Sequence, residues 1–148
     1  MKVRRVHSEL RETVASYDAR RTPLKSPESV AATLSELLEN EPQEVFGALL
    51  LDAKHMPIGW HEVSRGSLTA SIVHPREVFG AAIRMGAAAL IVAHNHPSGD
   101  PKPSREDLQV TKRLVEGGTL LGINVLDHVI VGADGAFSSA RADGWGAF

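Results

Sequence analysis

The chain has 148 residues, 43% apolar and 23% charged, which fits one soluble globular domain with room for a core. Its net charge is −2, from 16 Lys and Arg against 18 Asp and Glu, so nothing global favours nucleic acid. With no cysteine, no run long enough to span a bilayer and no secretory segment near Met1, disulfides and thiolate metal sites are excluded and the cytoplasm is the expected compartment.

Residues 1–25 are basic, with Arg4, Arg5, Arg11, Arg20, Arg21 and Lys25 against Glu9, Glu12 and Asp18. Such a charge run reads as a solvated arm, with a contact arm for nucleic acid or a partner as the alternative. The folded domain is expected over 26–148. Ser26 is a good N-cap, Pro27 suits the first helical position, and Val30, Leu34, Leu37 and Leu38 form one apolar stripe that ends near Asn40 and Pro42. Glu44 then precedes the apolar run Val45 to Leu51, which reads as a central strand. A turn around Asp52 to Pro57 leads to a second strand near Ile58 to Ser64, and a third is expected near Leu68 to Val73, giving an antiparallel meander. His74-Pro75 opens a second helix with Val78, Phe79, Ala82 and Ile83 facing inward and Gly86 at its end.

The apolar run Ala87 to Val92 reads as a buried strand, and His94 and His96 leave its end. Residues i and i+2 of an extended chain share a face, so both imidazoles point the same way, and Asn95 points away from them, as a loop residue or a group that supports the ligands from behind. A stiff loop with Pro97, Gly99, Pro101 and Pro103 follows, then Ser104 starts a helix with Asp107 in its first turn. Two histidines and one carboxylate on rigid elements make an N,N,O set for zinc with a position open for water. Ser104 and Asp107 also fit a capping box, and Asp100, the rival carboxylate, sits in a Gly-Asp-Pro turn where Asp serves local hydrogen bonding. The third helix is expected to run to about Glu116, with Leu108, Leu114 and Val115 inward, and to break at Gly117-Gly118. Val125 to Val131 reads as a strand carrying a lone His128, Ala133-Asp134-Gly135 as a turn, and Ala136 to Ser138 as an edge strand. In the Gly-rich tail, Trp145 and Phe148 either dock on the body or mark an interface.

The spacing His94-x-His96-x7-Ser104-x2-Asp107 resembles the JAMM motif of the JAB/MPN metalloprotease superfamily. The words Val73-His74-Pro75-Arg76-Glu77, His94-Asn95-His96-Pro97-Ser98-Gly99-Asp100 and Leu126-Asp127-His128 narrow the resemblance to its bacterial RadC branch, from about Ser26 to about Arg141. The resemblance implies an α/β fold of cytidine-deaminase-like architecture, a mixed, largely antiparallel sheet with packed helices. It implies Zn²⁺ on His94, His96 and Asp107 and hydrolysis of peptide or isopeptide bonds, often beside ubiquitin-like tails, with an unidentified protein or peptide as substrate. Ser104 would help stabilise an oxyanion, and His128 would orient a metal ligand. For the general base, Glu44 matches the superfamily's upstream glutamate, and Glu62, inside the second strand, competes with it. The basic arm is too short for the helix-hairpin-helix domain that many RadC relatives carry upstream. Two alternatives stand beside the hydrolase: a DNA-associated protein or metal-dependent nuclease, and a metal-binding scaffold without turnover. A structural zinc site is normally closed by four protein ligands, which disfavours the scaffold.

Overall fold

The computed structural model describes residues 24, 26–38, 40–66, 73–146 and 148. The elements are α1 (Pro27–Leu38), β1 (Val45–Leu51), β2 (Pro57–Arg65), α2 (Pro75–Met85), β3 (Ala89–Asn95), α3 (Arg105–Leu121), β4 (Asn124–Val131), β5 (Phe137–Ser139) and α4 (Ala140–Asp143). The five strands form one sheet in the order β2-β1-β3-β4-β5. Three neighbouring pairs are antiparallel, and β3 with β4 is parallel. A parallel pair needs a long crossover, which α3 supplies.

Every residue of β1 and of β3 is buried. That is why both strands read as continuous apolar runs rather than alternating ones, since helices cover both faces of the sheet. On one face, Phe46, Ala48, Leu90 and Val92 pack against Val78 and Phe79 of α2 and Val110 and Leu114 of α3. On the other, Val45, Leu49, Ile91 and Val129 pack against Val30, Leu34 and Leu38 of α1. The start of α1 follows the expected chemistry, with Ser26 Oγ accepting the Ser29 N–H at 3.2 Å. The β1–β2 turn is held by Asp52 Oδ1, which accepts from the N–H groups of Lys54 and Met56 at 2.8 and 2.9 Å.

Several expectations are corrected. Helix α3 does not break at Gly117-Gly118; it continues to Leu121 and ends at Gly122, whose φ of 72° is the left-handed C-cap conformation. A Cβ on Gly118 would lie 2.5 Å from the Ile123 carbonyl oxygen, and one on Gly117 would lie 3.1 Å from the Phe79 ring. The two glycines let α3 approach α2 and the start of β4 closely, and that packing outweighs the ~1 kcal/mol per residue by which glycine disfavours a helix. Leu108, expected inside, is 39% exposed because the preceding Asp107 takes the inward direction, and Val110, Thr111 and Leu114 make the buried face. Ile83 is likewise 60% exposed, the inner face of α2 being centred on Val78, Phe79 and Ala82. Helix α4 was not expected, since four residues are too few to show a period; it is capped by Ser139 Oγ, which accepts the Ala142 N–H at 3.1 Å.

The expected strand near Leu68 to Val73 lies outside the described residues apart from Val73, which is buried. The basic arm also lies outside them, apart from Leu24, which joins the core beneath α1 and donates its N–H to the His55 carbonyl at 3.3 Å. Among the described residues, no helix is long and apolar enough to cross a membrane.

Candidate metal centre

The antiparallel register sets Phe46 opposite His94, so the start of β1 lies at the end of β3. The start of α3 comes to the same place, and three separate elements deliver side chains to one point. His94 Nε2 and His96 Nε2 lie 3.0 Å apart. Asp107 straddles them, with Oδ1 3.1 Å from His94 Nε2 and Oδ2 3.4 Å from His96 Nε2. Glu44 Oε1 stands 3.7 Å from the first nitrogen and 4.0 Å from the second. Ligand atoms about 2.0–2.1 Å from a tetrahedral zinc ion are about 3.3 Å from one another. The His94–His96 contact is close to that edge length, and Asp107 meets each ring nitrogen at a similar distance with a different carboxylate oxygen, so two imidazoles and a carboxylate stand where a divalent ion such as zinc could be held. Glu44, His94 and His96 also form a compact group able to hold a metal ion, with ligand atoms all within 4.8 Å of one another. Asp107 approaches the two ring nitrogens more closely than Glu44 does, with a different oxygen for each, so both carboxylates stand as candidates for the third ligand.

Each ligand candidate is fixed from behind. His96 Nδ1 faces the Asp100 carbonyl at 2.8 Å, and an acceptor there means that Nδ1 carries a proton and that the ring's Nε2 edge is turned to the site. Asp107 belongs to a complete capping box: Ser104 Oγ accepts the Asp107 N–H at 3.1 Å, and Asp107 Oδ2 accepts the Ser104 N–H at 2.7 Å. Burial would push the Asp107 carboxyl up, but hydrogen bonds with His94 and His96 overcome it and hold the group far below the usual carboxylate range. His94 Nδ1 lies 2.8 Å from His128 Nε2, and His128 Nδ1 lies 2.6 Å from Thr111 Oγ1. His128 is fully buried, which pushes its pKa well below the ordinary histidine value and keeps it neutral. Phe46 stacks on His94 at 5.8 Å between ring centroids, and Trp145 covers His128 at 5.3 Å while donating its indole N–H to Ser138 Oγ at 2.8 Å. The tail tryptophan thus docks on the body.

The residues singled out from sequence divide cleanly. His94, His96, Asp107 and Glu44 meet at one point, Ser104 caps the helix beside Asp107, and His128 touches His94. Glu62 does not join them; it pairs across from Gly47, is 41% exposed and forms an ion pair with Arg65 at 2.7 Å. Trp60, two residues earlier, packs into the core on the α1 face, and strand alternation places Glu62 there too, on the opposite face from His94. Asp100 contributes its backbone carbonyl to His96, while its side chain accepts the Lys102 N–H at 3.0 Å, a local turn bond. His74 occupies the N-cap position of α2 without a side-chain cap bond. Sequence reasoning missed Thr111. The available signal was a threonine one helical turn after Asp107, on the same buried face.

A mixed α/β sheet with two histidines at the end of its central strand and a carboxylate on the following helix defines a metal-capable domain of the JAB class. The chain belongs to the RadC-like JAB domain family, whose profile matches residues 24–145. It is 52% identical over 118 residues to a UPF0758 protein of Alkaliphilus oremlandii, covering 80% of this chain and 50% of that one. A UPF0758 protein of Moorella thermoacetica is 49% identical over 133 residues, 90% of this chain and 58% of the relative. One from Methanosarcina acetivorans is 51% identical over 120 residues, with 81% and 52% covered. The chain thus spans about half the length of these curated relatives.

Proposed function

We propose that this domain is a zinc-dependent hydrolase of peptide or isopeptide bonds, with the ion held by His94, His96 and Asp107. The observation that supports this reading is the convergence of two imidazole nitrogens and the Asp107 carboxylate within 3.0–3.4 Å contacts, with a second carboxylate, Glu44, 3.7 Å from His94 Nε2. Zinc bound there supplies Lewis-acid activation of water and of the scissile carbonyl. Glu44 takes the proton of the attacking water and returns it to the departing amine, which is the work of a general base that becomes a general acid. Ser104 Oγ receives the Asp107 N–H, so its own proton is free to go to the carbonyl oxygen as negative charge builds there. The partner on this reading is a protein or peptide substrate in the cytoplasm, and no membrane is required.

Zinc-loaded wild type and His96→Ala are to be incubated with pools of peptides, isopeptide-linked conjugates and nucleic acids. New amine termini from the peptide or isopeptide pool, made by wild type alone, are the expected result. Products common to both proteins, or cleavage of nucleic acid alone, would overturn the reading, and the second outcome would assign a nuclease.

A further inference from the structure

We propose that a cavity beside His96 is the substrate subsite for the side chain next to the scissile bond, and that it takes a small aliphatic side chain, valine or leucine. This deepens the hydrolase reading above and rests on it.

The cavity holds about 90 Å³ and lies where the ends of α1, β3 and β4 meet. Leu38 and Val131, both buried, form apolar walls with Pro97, and the exposed Ala133 stands at the mouth. His96 lines the cavity and also turns Nε2 to Asp107 at 3.4 Å, so the cavity and the metal position share one residue. Consecutive residues of a peptide are about 3.8 Å apart. A peptide whose carbonyl reaches the metal position therefore brings a neighbouring side chain to the wall that His96 provides.

The polar groups around the cavity are already paired. Asn95 spends Oδ1 on the Val45 N–H and Nδ2 on two backbone carbonyls. The Gly132 N–H goes to the Ala136 carbonyl at 2.8 Å, and the Gly99 carbonyl accepts the Ala133 N–H at 2.9 Å. The Glu41 carboxylate is engaged by the Arg65 guanidinium at 2.5 and 3.3 Å. A charged occupant would give up its water for partners that are already engaged, whereas an aliphatic one displaces water that such walls hold poorly. The volume is on the order of three methyl groups, each about the size of a water molecule, which suits a branched aliphatic side chain.

The shape is set before a substrate arrives. His96 donates its N–H to the Val131 carbonyl at 3.0 Å, and Gly99 donates its own to the His96 carbonyl at 2.9 Å, which ties the loop after β3 to the end of β4. A Cβ on Gly132 would collide with the Gly99 carbonyl oxygen, so these segments can close on each other because residue 132 is glycine.

The first test is binding, read without turnover. N-acetyl-leucinamide titrated into the full chain should shift the backbone amide signals of Gly99, Gly132 and Ala133 in ¹H–¹⁵N spectra, and N-acetylglycinamide should not. Ala133→Leu, which fills the mouth with its own side chain, should abolish the leucinamide shifts. The second test is cleavage of peptide and isopeptide pools by zinc-loaded protein. Wild type should cut bonds flanked by valine or leucine at least ~10-fold faster than bonds flanked by glycine or lysine, and Ala133→Leu should bring that ratio close to one. The subsite is overturned by equal shifts from the two amides, by no shift from leucinamide, or by shifts that survive in a folded Ala133→Leu. It is also overturned by hydrolysis that shows no preference or prefers a diglycine tail, and each of these results leaves the hydrolase reading standing. The wild-type comparisons decide even where the variant does not fold. Selective binding of leucinamide without hydrolysis of any pool would instead remove the hydrolase reading and leave a site for an aliphatic side chain.

Discussion

Asn95 accepts the Val45 N–H on Oδ1 at 2.7 Å, and its Nδ2 donates to the carbonyls of Gln43 at 3.0 Å and Glu41 at 3.4 Å. One side chain from β3 thereby holds the backbone on both sides of Glu44. Since Asn95 sits between the two ligand histidines, the carboxylate and the imidazoles are referenced to the same strand. Asn95→Ala should keep zinc, since no ligand is lost, but lower turnover and cost about 1–3 kcal/mol of stability through unpaired buried backbone groups. Metal content, thermal denaturation and kcat measured together check this; unchanged kcat would mean that Glu44 is positioned by other contacts.

Metal stoichiometry separates the two carboxylates. Wild type should bind about one zinc per chain, and His94→Ala, His96→Ala and Asp107→Ala should each lose most of it, because on the proposed reading each removes one of three protein ligands. Glu44→Gln should keep it. Elemental analysis decides, and full occupancy in Asp107→Ala with loss in Glu44→Gln would make Glu44 the third ligand.

The same glutamate carries the sharpest kinetic prediction. Glu44→Gln should reduce turnover by at least ~10²-fold, as loss of a general base does, with zinc still bound. Glu62→Gln should leave turnover near wild type, because that residue lies on the other face of the sheet. Steady-state rates on any substrate found in the cleavage screen settle both.

Ser104 has two tasks that substitution can separate. Ser104→Gly should cost only a few tenths of a kcal/mol, because glycine is a tolerable N-cap. It should still lower turnover by about 10²–10³-fold if the hydroxyl donates to the developing oxyanion. Ser104→Ala should lose that rate and also about 1 kcal/mol of stability. Wild-type turnover in the glycine variant would reduce Ser104 to a cap.

The glycine pair in α3 makes a prediction about packing. Gly118→Ala gains up to ~1 kcal/mol in helix propensity. Its Cβ would press on a backbone carbonyl that cannot swing aside, 2.5 Å away, and overpacking of this kind costs about 1–3 kcal/mol. The variant should melt below wild type. Gly117→Ala meets the edge of Phe79 at 3.1 Å, a side chain able to give, and should lose less. Calorimetry that ranks the two the other way would mean that the α3–β4 contact is looser than described.

Much of this was legible in the sequence because the signals are local. The strand before His94 and His96, the box from Ser104 to Asp107 and the stop at Gly86 each rest on neighbouring residues and a known backbone period. What escaped depends on approach between distant segments. Gly117-Gly118 reads as a break until Phe79 and Ile123 are seen to need the space. Leu108 reads as core until Asp107 is seen to take the inward direction. The choice between Glu44 and Glu62 needs the sheet register, because the two differ in the face and the strand end they reach. Thr111 and Asn95 look ordinary alone, and their meaning lies in partners 17 residues away in one case and 50 and more in the other.

The parallel pairing of β3 with β4 bears on the order in which the molecule assembles. A hairpin can join β1 to β2 early, but β4 meets β3 only after the whole of α3 has been laid across the sheet, a non-local step with a larger closure cost. His94 comes from one side of that crossover, Asp107 from within it and His128 from the far side. The cluster of His94, His96 and Asp107 should therefore assemble late, once the crossover has docked. Lifting α3 from the sheet would take Asp107 away from the histidines and release the ion while β1 and β2 were still paired, so metal loss should precede global unfolding.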